Sequence, residues 1–174
     1  FNYVGTPTVT RVLPLLNHYA SANLYLFFPF TGAEPQRRPP YADQVFNLRA
    51  SYHDETAALV ERMADLGRGR IAVFYQADAF GRGGWEGVRN ALHQRGEDIA
   101  GEATYHRGAG FDSDFTEQVR LLRASDPDAV MAVCAYAACA AFIRDARNAG
   151  WTVPIATLSF SGSEAMLELL LELE

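Results

Sequence analysis

The sequence predicts an α/β protein built on a doubly wound parallel sheet, and two observations support this prediction. First, strand-like and helix-like segments alternate along most of the chain, and from Ser51 onward they form about four strand–helix units of roughly 25–35 residues each. Second, several strand-like segments are continuous apolar runs, which is the pattern of parallel strands that helices cover on both faces.

Residues 1–50 are predicted to contain one helix, two strands and a loop. Residues 9–20 have the helical period of an amphipathic segment, which Pro14 is expected to kink or locally break. The two strands and the loop between them are predicted at 23–30, 44–50 and 31–43, respectively. The first strand is continuously apolar, whereas the loop is rich in proline and carries Arg37 and Arg38, both expected to be solvated.

A helix start is marked at Ser51, because Asp54 and Glu55 follow it in a capping-box-like arrangement, and Gly67 is placed to end that helix. The predicted helices of this part are at 51–67, 84–96, 114–126, 136–150 and 163–174, and the predicted strands are at 70–76, 98–106, 128–135 and 153–160. Strands and helices therefore alternate to the end of the sequence.

Composition and charge exclude several classes of function. The net charge of −6 argues against a nucleic-acid partner, because phosphate binding requires clustered basic residues. All fifteen basic residues are Arg, which excludes mechanisms that need a Schiff-base or P-loop lysine. No apolar run reaches the length of about 18 residues typical of a membrane span, so no direct membrane insertion is expected. No secretory signal opens the sequence, so the protein is either cytosolic or has lost its start.

The two cysteines, Cys134 and Cys139, have no histidine near them and do not form a Cys-x-x-Cys pair. A zinc site is therefore not expected, and both are interpreted as small buried apolar residues. No metal and no cofactor is predicted from the sequence. The cysteines alone do not indicate the cellular compartment.

The glycine-rich segment after the strand at 70–76 satisfies neither phosphate-binding motif. A dinucleotide fingerprint needs glycines at the first, third and sixth positions, and counting from Gly81 the sixth position is Glu86. The P-loop fails because the chain has no lysine. Gly81, Gly83 and Gly84 are instead expected to let the chain turn tightly into the following helix.

No catalytic constellation is found, so no catalytic residue is predicted. The four histidines are scattered along the chain, and "SFSGS" lacks the leading glycine of a nucleophile elbow. An enzyme on a doubly wound sheet therefore stays the minority hypothesis. Such sheets bind ligands beyond the carboxyl ends of their strands, which directs attention to the residues that follow each predicted strand.

Six sequence segments, taken in their order along the chain, are more informative than any single motif. These are "GTPTVTRVLPLLN", "FFPFTGAE", "VFNLRASYHDETAALV", "FYQADAFGRGGWEGVRNAL", "DFTEQVRLLRASDPDAVMAV" and "YAACAAFIRDARNAGW". Together they resemble the type I periplasmic binding proteins, in the leucine/isoleucine/valine-binding branch that feeds ABC importers. The resemblance covers nearly all of the chain. Members of this family are longer and have two doubly wound lobes that close over a ligand.

The resemblance implies that the chain is a fragment containing part of one lobe and most of the other. Residues 1–50 correspond to the remainder of the N-terminal lobe, and residues 51–174 to most of the C-terminal ligand-binding lobe. The implied function is the periplasmic or extracellular solute-binding component of an ABC importer, with a small solute and a membrane permease as partners. The alternative is a ligand-sensing domain of a receptor or of an amide-responsive regulator with the same fold.

The resemblance also implies a set of ligand-binding residues. In the first lobe, hydroxyl and backbone groups hold the carboxylate of the ligand, and helix N-terminal amides suit such an anion. In the second lobe, aromatic residues cover the ligand and close the cleft, with a third aromatic wall at the crossover. The matching residues are Thr6, Thr8, Thr31 and Gly32 in the first lobe and Tyr52, Phe80 and Tyr136 for the aromatic walls.

One position departs from the pattern of the family. Amino-acid binders place an acid after the strand that corresponds to "IATLSF", where it holds the ammonium group, but Ser159 follows that strand here. Ser159 and Asp78 complete the predicted site, with Asp78 as a substitute acid that would serve equally well as a helix N-cap. The ligand is accordingly an amino acid held differently, or a carboxylate or amide without an ammonium group.

Overall fold

The computed structural model describes residues 3–171, and its parallel sheets confirm the predicted α/β class. The first part contains α1 (Thr6–His18), β1 (Leu26–Phe27) and β2 (Val45–Phe46), with short 3-10 helices at Ala20–Ala22, Pro35–Arg37 and Ala42–Gln44. β1 and β2 pair in parallel as a two-stranded sheet. α1 packs on this sheet through a small apolar cluster that includes Val9, Leu13 and Leu26.

The second part is a four-stranded parallel sheet with helices on both faces. Its elements are α2 (Tyr52–Asp65), β3 (Ile71–Gln76), α3 (Ala79–Gln94), β4 (Gly101–Tyr105), α4 (Thr116–Ala124), β5 (Ala129–Val133), α5 (Tyr136–Asn148), β6 (Ile155–Thr157), a 3-10 helix at Ser159–Ser161 and α6 (Ser163–Leu171). The strand order is β4-β3-β5-β6, so the chain steps outward from β3 to β4 and then returns to the other side of β3. This reversal confirms the doubly wound prediction and creates a topological switch point.

Alternate residues of β3 point into two separate apolar clusters, one on each face of the sheet. Ala72 and Phe74 face the cluster that includes residues of α4 and α5, and Phe74 stacks on Phe142 with ring centroids 4.2 Å apart. Ile71 and Val73 face the cluster that includes residues of α2 and α3. Burial on both faces explains why β3 is apolar at nearly every position.

The helix near the N-terminus was predicted to be kinked or locally broken at Pro14, and the structure shows no break there. α1 runs through Pro14 and begins at Thr6, earlier than the predicted start at residue 9. Leu13 and Leu16, on either side of the proline, are both buried. Apolar packing on the two-stranded sheet therefore holds the helix together despite the lost backbone hydrogen bond.

The strand predicted at 23–30 is also largely wrong, because β1 contains two residues only. Tyr25, Phe27, Phe28 and Phe30 are each about half exposed. Among the described residues β1 pairs with β2 alone, so its apolar run is not covered on both faces. The strand predicted at 44–50 is likewise shorter than expected, because β2 contains two residues only.

The glycines after β3 lie inside α3 and not in a turn that precedes it. None of Gly81, Gly83 and Gly84 has a positive φ, so the prediction that they allow a tight turn is wrong. They are needed for close packing: a Cβ on Gly84 would lie 2.6 Å from Cγ1 of Val133, and one on Gly81 would overlap the carbonyl oxygen of Gln76. Glycine thus lets α3 begin directly against the ends of β3 and β5.

Cys134 and Cys139 are fully buried as predicted, but they form a disulfide, so their interpretation as simple apolar residues is wrong. Cys134 follows β5 and Cys139 lies near the start of α5, and this strand-to-helix connection brings their Cα atoms to 5.4 Å. The buried hydroxyl of Ser161 donates a hydrogen bond of 2.8 Å to the carbonyl oxygen of Cys134. The disulfide therefore fixes the connection between β5 and α5.

Arg38 is exposed as predicted, whereas Arg37 is not simply solvated. Arg37 is partly buried, and its Nη2 donates a hydrogen bond of 2.7 Å to the carbonyl oxygen of Arg49. The capping box at Ser51 is confirmed, because the Ser51 hydroxyl accepts from the amide of Asp54 and the Asp54 carboxylate accepts from the amide of Ser51. This box fixes the start of α2.

Candidate functional site

A cleft of about 420 Å³ opens at the carboxyl ends of β3, β4 and β5. Gly5, Thr6 and Pro7, where α1 begins, line one side of it. Residues that follow the three strands line the other side. The cleft therefore lies at the topological switch point of the sheet, where doubly wound folds bind their ligands.

A chain of hydrogen bonds joins the three strand ends beneath the cleft. The hydroxyl of Tyr105, the last residue of β4, donates to Oε1 of Gln76 at the end of β3 over 3.1 Å. It accepts from the amide of Ala135, which follows β5, over 3.2 Å. Nε2 of Gln76 in turn donates to Oδ2 of Asp78 over 2.6 Å. Burial raises the pKa of the Tyr105 hydroxyl to about 12, so it stays protonated and able to donate.

Asp78 is the N-cap of α3, which confirms one of the two roles expected for it. Its Oδ1 accepts hydrogen bonds from the amides of Phe80 and Gly81, at 2.9 and 3.2 Å. Its Oδ2 accepts from Gln76 as described above. Both oxygens are therefore engaged, and the carboxylate lies at the positive end of the helix dipole.

Aromatic side chains form the apolar part of the cleft. Phe80 and Phe160 both line it, with ring centroids 4.6 Å apart. The ring of Tyr52 lies behind them, 5.4 Å from that of Phe80. Tyr136 is the first residue of α5, is 47% exposed and lines the cleft. This position is compatible with the predicted role of an aromatic that covers a solute.

A second hydrogen-bonded group lies behind the start of α1. The hydroxyls of Thr6 and Thr31 are 2.8 Å apart, and the Thr31 hydroxyl is 3.2 Å from that of Tyr52. All three residues are buried, but of the three only Thr6 lines the cleft. Thr31 and Tyr52 therefore hold the Thr6 hydroxyl in place from behind.

The predicted site residues fall into three groups by position. Those that line the cleft are Thr6, Asp78, Phe80 and Tyr136. Those that support it from behind are Thr31, Gly32 and Tyr52, and the Gly32 carbonyl accepts from the Tyr52 amide at 2.7 Å. Thr8 is exposed on α1 and does not line the cleft, and neither does Ser159. The ligand contacts themselves stay predictions.

Ser159 belongs to an ion-pair cluster beside the cleft. Nη2 of Arg49 lies 2.9 Å from Oε1 of Glu55 and also bonds to the Ser159 hydroxyl. The Ser159 amide donates to Oε2 of Glu55 over 2.8 Å. The Arg49 guanidinium stacks near the rings of Phe30 and Phe160, at 5.1 and 5.7 Å. Arg49 thereby connects the first part of the chain to the end of β6.

Among the cleft residues with polar or aromatic side chains, those absent from the predicted site are Gln76, Tyr105, Arg107 and Phe160. Tyr105 is the last residue of β4 and Arg107 follows that strand, so the rule on carboxyl ends would have found Arg107 had it been applied there. Gln76 is the last residue of β3 and gave no separate signal. Phe160 lies within the stretch after β6 that was noted for lacking an acid.

Residues 2–172 match the sequence model of a family described as periplasmic binding protein. The chain belongs to this family. The architecture of periplasmic binding proteins agrees with the doubly wound sheet and with a cleft at its switch point. None of the proteins with curated descriptions matches the chain significantly.

Solved structures of periplasmic binding proteins confirm the resemblance to the leucine/isoleucine/valine-binding branch. A possible leucine/isoleucine/valine-binding protein from Rhodopirellula baltica SH 1 is 28% identical, with a TM-score of 0.83, over 97% of this chain and 45% of that one. A substrate-binding periplasmic protein from Ralstonia solanacearum is 28% identical, with a TM-score of 0.80, over 97% and 47%. A branched chain amino acid ABC transporter from Thermus thermophilus with bound valine has the same fold, at 21% identity and a TM-score of 0.84, over 96% and 42%.

The chain thus spans less than half the length of these periplasmic binding proteins. Within residues 3–171, no helix has both the length and the apolar character that crossing a bilayer requires. In the same range, no three histidine, cysteine or acidic side chains come together as potential metal ligands.

Proposed function

We propose that this chain provides part of the solute-binding component of an ABC importer and acts by binding, without turnover. Its solute is a small carboxylate-bearing molecule held in the cleft at the ends of β3, β4 and β5. Membership of the periplasmic binding protein family supports a solute-binding role. The observation that carries the choice of a carboxylate is the pair of uncapped helices that begin at the cleft.

α1 and α5 both begin at the cleft, and neither is capped by a side chain. Their N-cap residues are Gly5 and Ala135, and neither helix has an acidic residue in its first turn. The amides of a first helical turn have no partner within the helix and favour a negative charge, although Pro7 of α1 has no amide hydrogen and leaves that helix with fewer donors than α5. The Thr6 hydroxyl, held by Thr31, is available beside them. A carboxylate group fits the partial positive charge of these helix ends.

We infer that residues 1–50 and 51–174 belong to two lobes that close over the solute. The cleft lies between the start of α1, in the first range, and the strand ends of the second. Closure would bury a solute on both sides and give the membrane permease a shape to recognise. The disulfide between Cys134 and Cys139 supports an extracytoplasmic location, because such bonds persist in oxidising compartments.

A thermal-shift titration of the full-length protein with small carboxylates and the matching carboxamides tests this proposal. We expect the acids to raise the melting temperature and the uncharged amides to have little effect. Thr6→Val should weaken binding of the acids about tenfold, as expected for a lost hydrogen bond to a charged group. Thr8→Val, on the exposed side of the same helix, is the matched control. Equal binding of acids and amides, or chemical conversion of the solute, would contradict the proposal.

A further inference from the structure

We propose, building on the function above, that the solute carries no ammonium group and that Arg107 pairs with its negative charge. The solute class is a monocarboxylate with an apolar body large enough to contact an aromatic ring. This excludes α-amino acids as the preferred solutes. The inference rests on the charges of the cleft and of its immediate surroundings.

Asp78 is the one carboxylate among the described residues that line the cleft, and it is already engaged. Its two oxygens accept hydrogen bonds from the amides of Phe80 and Gly81 and from the side chain of Gln76. The N-terminus of α3 offsets its charge. An ammonium group bound to Asp78 would have to compete with three hydrogen bonds that hold the helix start and the strand ends together.

Glu55 is the acid beside the end of β6, and it is engaged as well. One of its oxygens pairs with Arg49 at 2.9 Å, and the other accepts from the Ser159 amide at 2.8 Å. The residues Ser159 and Phe160, which follow β6, offer a hydroxyl already bound to Arg49 and an apolar ring. A buried ammonium group would therefore lack the charged partner that makes its desolvation tolerable.

Arg107 differs from Asp78 and Glu55 both in the sign of its charge and in having no partner among the described residues. It follows β4 and lines the cleft, and no described hydrogen bond or ion pair involves it. Of the two charged side chains that line the cleft in the described part of the chain, Asp78 is hydrogen-bonded and Arg107 is left available to an anion. Arginine also matches the planar geometry of a carboxylate, to which it donates two parallel hydrogen bonds. Arg107, which follows β4, accordingly pairs with the negative charge of the solute.

The shape of the cleft defines the rest of the solute. Phe80 and Phe160, with ring centroids 4.6 Å apart, offer an apolar wall, and Tyr136 stands at the mouth. The cleft volume of about 420 Å³ is within the range typical of small-molecule sites. A solute with an aromatic or branched aliphatic body would bury that body against these rings.

Binding of matched pairs of compounds to the full-length protein, measured by isothermal titration calorimetry, tests the inference. The pairs are 3-phenylpropanoate with phenylalanine and 4-methylpentanoate with leucine, which differ only in the ammonium group. We expect each acid to bind at least tenfold more tightly than its amino acid. Arg107→Gln should weaken binding of the acids about tenfold or more and reduce the dependence of affinity on salt. Arg11→Gln, an exposed arginine of α1, is the matched control.

The outcomes separate this inference from the function proposed above. Tighter binding of phenylalanine and leucine than of the acids would overturn the inference and leave solute binding intact. An unchanged affinity in Arg107→Gln would overturn the role of Arg107. Binding of carboxamides as tight as that of the acids would instead overturn the carboxylate site itself.

Discussion

The hydroxyl of Tyr105 donates a hydrogen bond to Oε1 of Gln76 over 3.1 Å, and this contact joins the ends of two adjacent strands at the floor of the cleft. The same hydroxyl accepts from the amide of Ala135, which follows a third strand. Tyr105 and Gln76 are only 4% and 6% exposed, although both line the cleft. One phenolic oxygen therefore provides the side-chain contacts that join the ends of three strands.

Tyr105→Phe should lower the free energy of unfolding by about 1–3 kcal/mol, because it leaves the buried acceptor of Gln76 and the part-buried amide of Ala135 without this partner. Urea denaturation measures this loss. Tyr75→Phe is the matched control, since Tyr75 is also buried but its hydroxyl makes no hydrogen bond among the described residues. A loss of stability that is equal in the two variants would contradict the proposed role of the hydroxyl.

The same tyrosine should make stability fall at alkaline pH. Its pKa is about 12 in the folded chain and about 10 in an unfolded chain, because burial disfavours the phenolate. The stabilising contribution is therefore fully present below pH ~10 and is lost as the pH rises through about 12. Melting temperatures across this range should fall less steeply for Tyr105→Phe than for the wild type. Burial also raises the pKa of Tyr75, so Tyr75→Phe measures the part of the slope due to that residue.

Loss of the disulfide should destabilise the chain by about 2 kcal/mol, as the chain-entropy model gives for so short a loop. The test compares the double variant Cys134→Ala, Cys139→Ala with the wild type in urea, with and without reductant. Reductant should lower the midpoint of the wild type and leave that of the double variant unchanged. Two titratable thiols in the unfolded, unreduced wild type would show that the bond is absent.

Two glycines of α3 should respond in opposite directions to alanine. Gly81→Ala places a methyl group against the carbonyl oxygen of Gln76 and should cost about 2 kcal/mol or more, as overpacking does. In Gly83→Ala the new methyl lies 3.5 Å from Cδ2 of Tyr52, an ordinary contact, so the higher helix propensity of alanine should add up to about 1 kcal/mol. Thermal unfolding distinguishes the two. Stabilisation by Gly81→Ala would refute the close-packing explanation.

Arg49→Met should cost about 2 kcal/mol or more, because it leaves Glu55 partly buried without its partner. The exposed pair of Arg120 and Glu117 provides the control, and Arg120→Met should change stability far less than Arg49→Met does. Chemical denaturation of both variants gives the comparison. Similar costs for the two substitutions would show that the Arg49 cluster is no more than a surface ion pair.

The sequence predicted the second part of the fold well because its periodicity is strong there. β3 was predicted at 70–76 and lies at Ile71–Gln76, since burial on both faces makes it uniformly apolar. The start of α3 was misplaced because glycine is unfavourable in a helix, and only the backbone contact at Gly81 explains why it is required there. The apolar run near Phe27 was misjudged because an apolar residue does not reveal whether anything covers it.

The site was predictable in outline, since strand ends and a family resemblance located most of the lining residues. The hydrogen bonds of Tyr105 with Gln76 and Ala135 were not predictable, because they join residues far apart in sequence through the register of three strands. The disulfide was not predicted either, because the Cα separation of Cys134 and Cys139 depends on how tightly the chain passes from β5 into α5.

The disulfide makes residues 134–139 a covalent ring, and Tyr136 is one of its members. The backbone around Tyr136 therefore has few conformations to lose when a solute binds. Formation of the disulfide has already removed most of its conformational entropy. A flexible flap at this position would close by itself. In the closure that we propose, Tyr136 would therefore move toward the solute together with the rest of its lobe, and not as a separate flap.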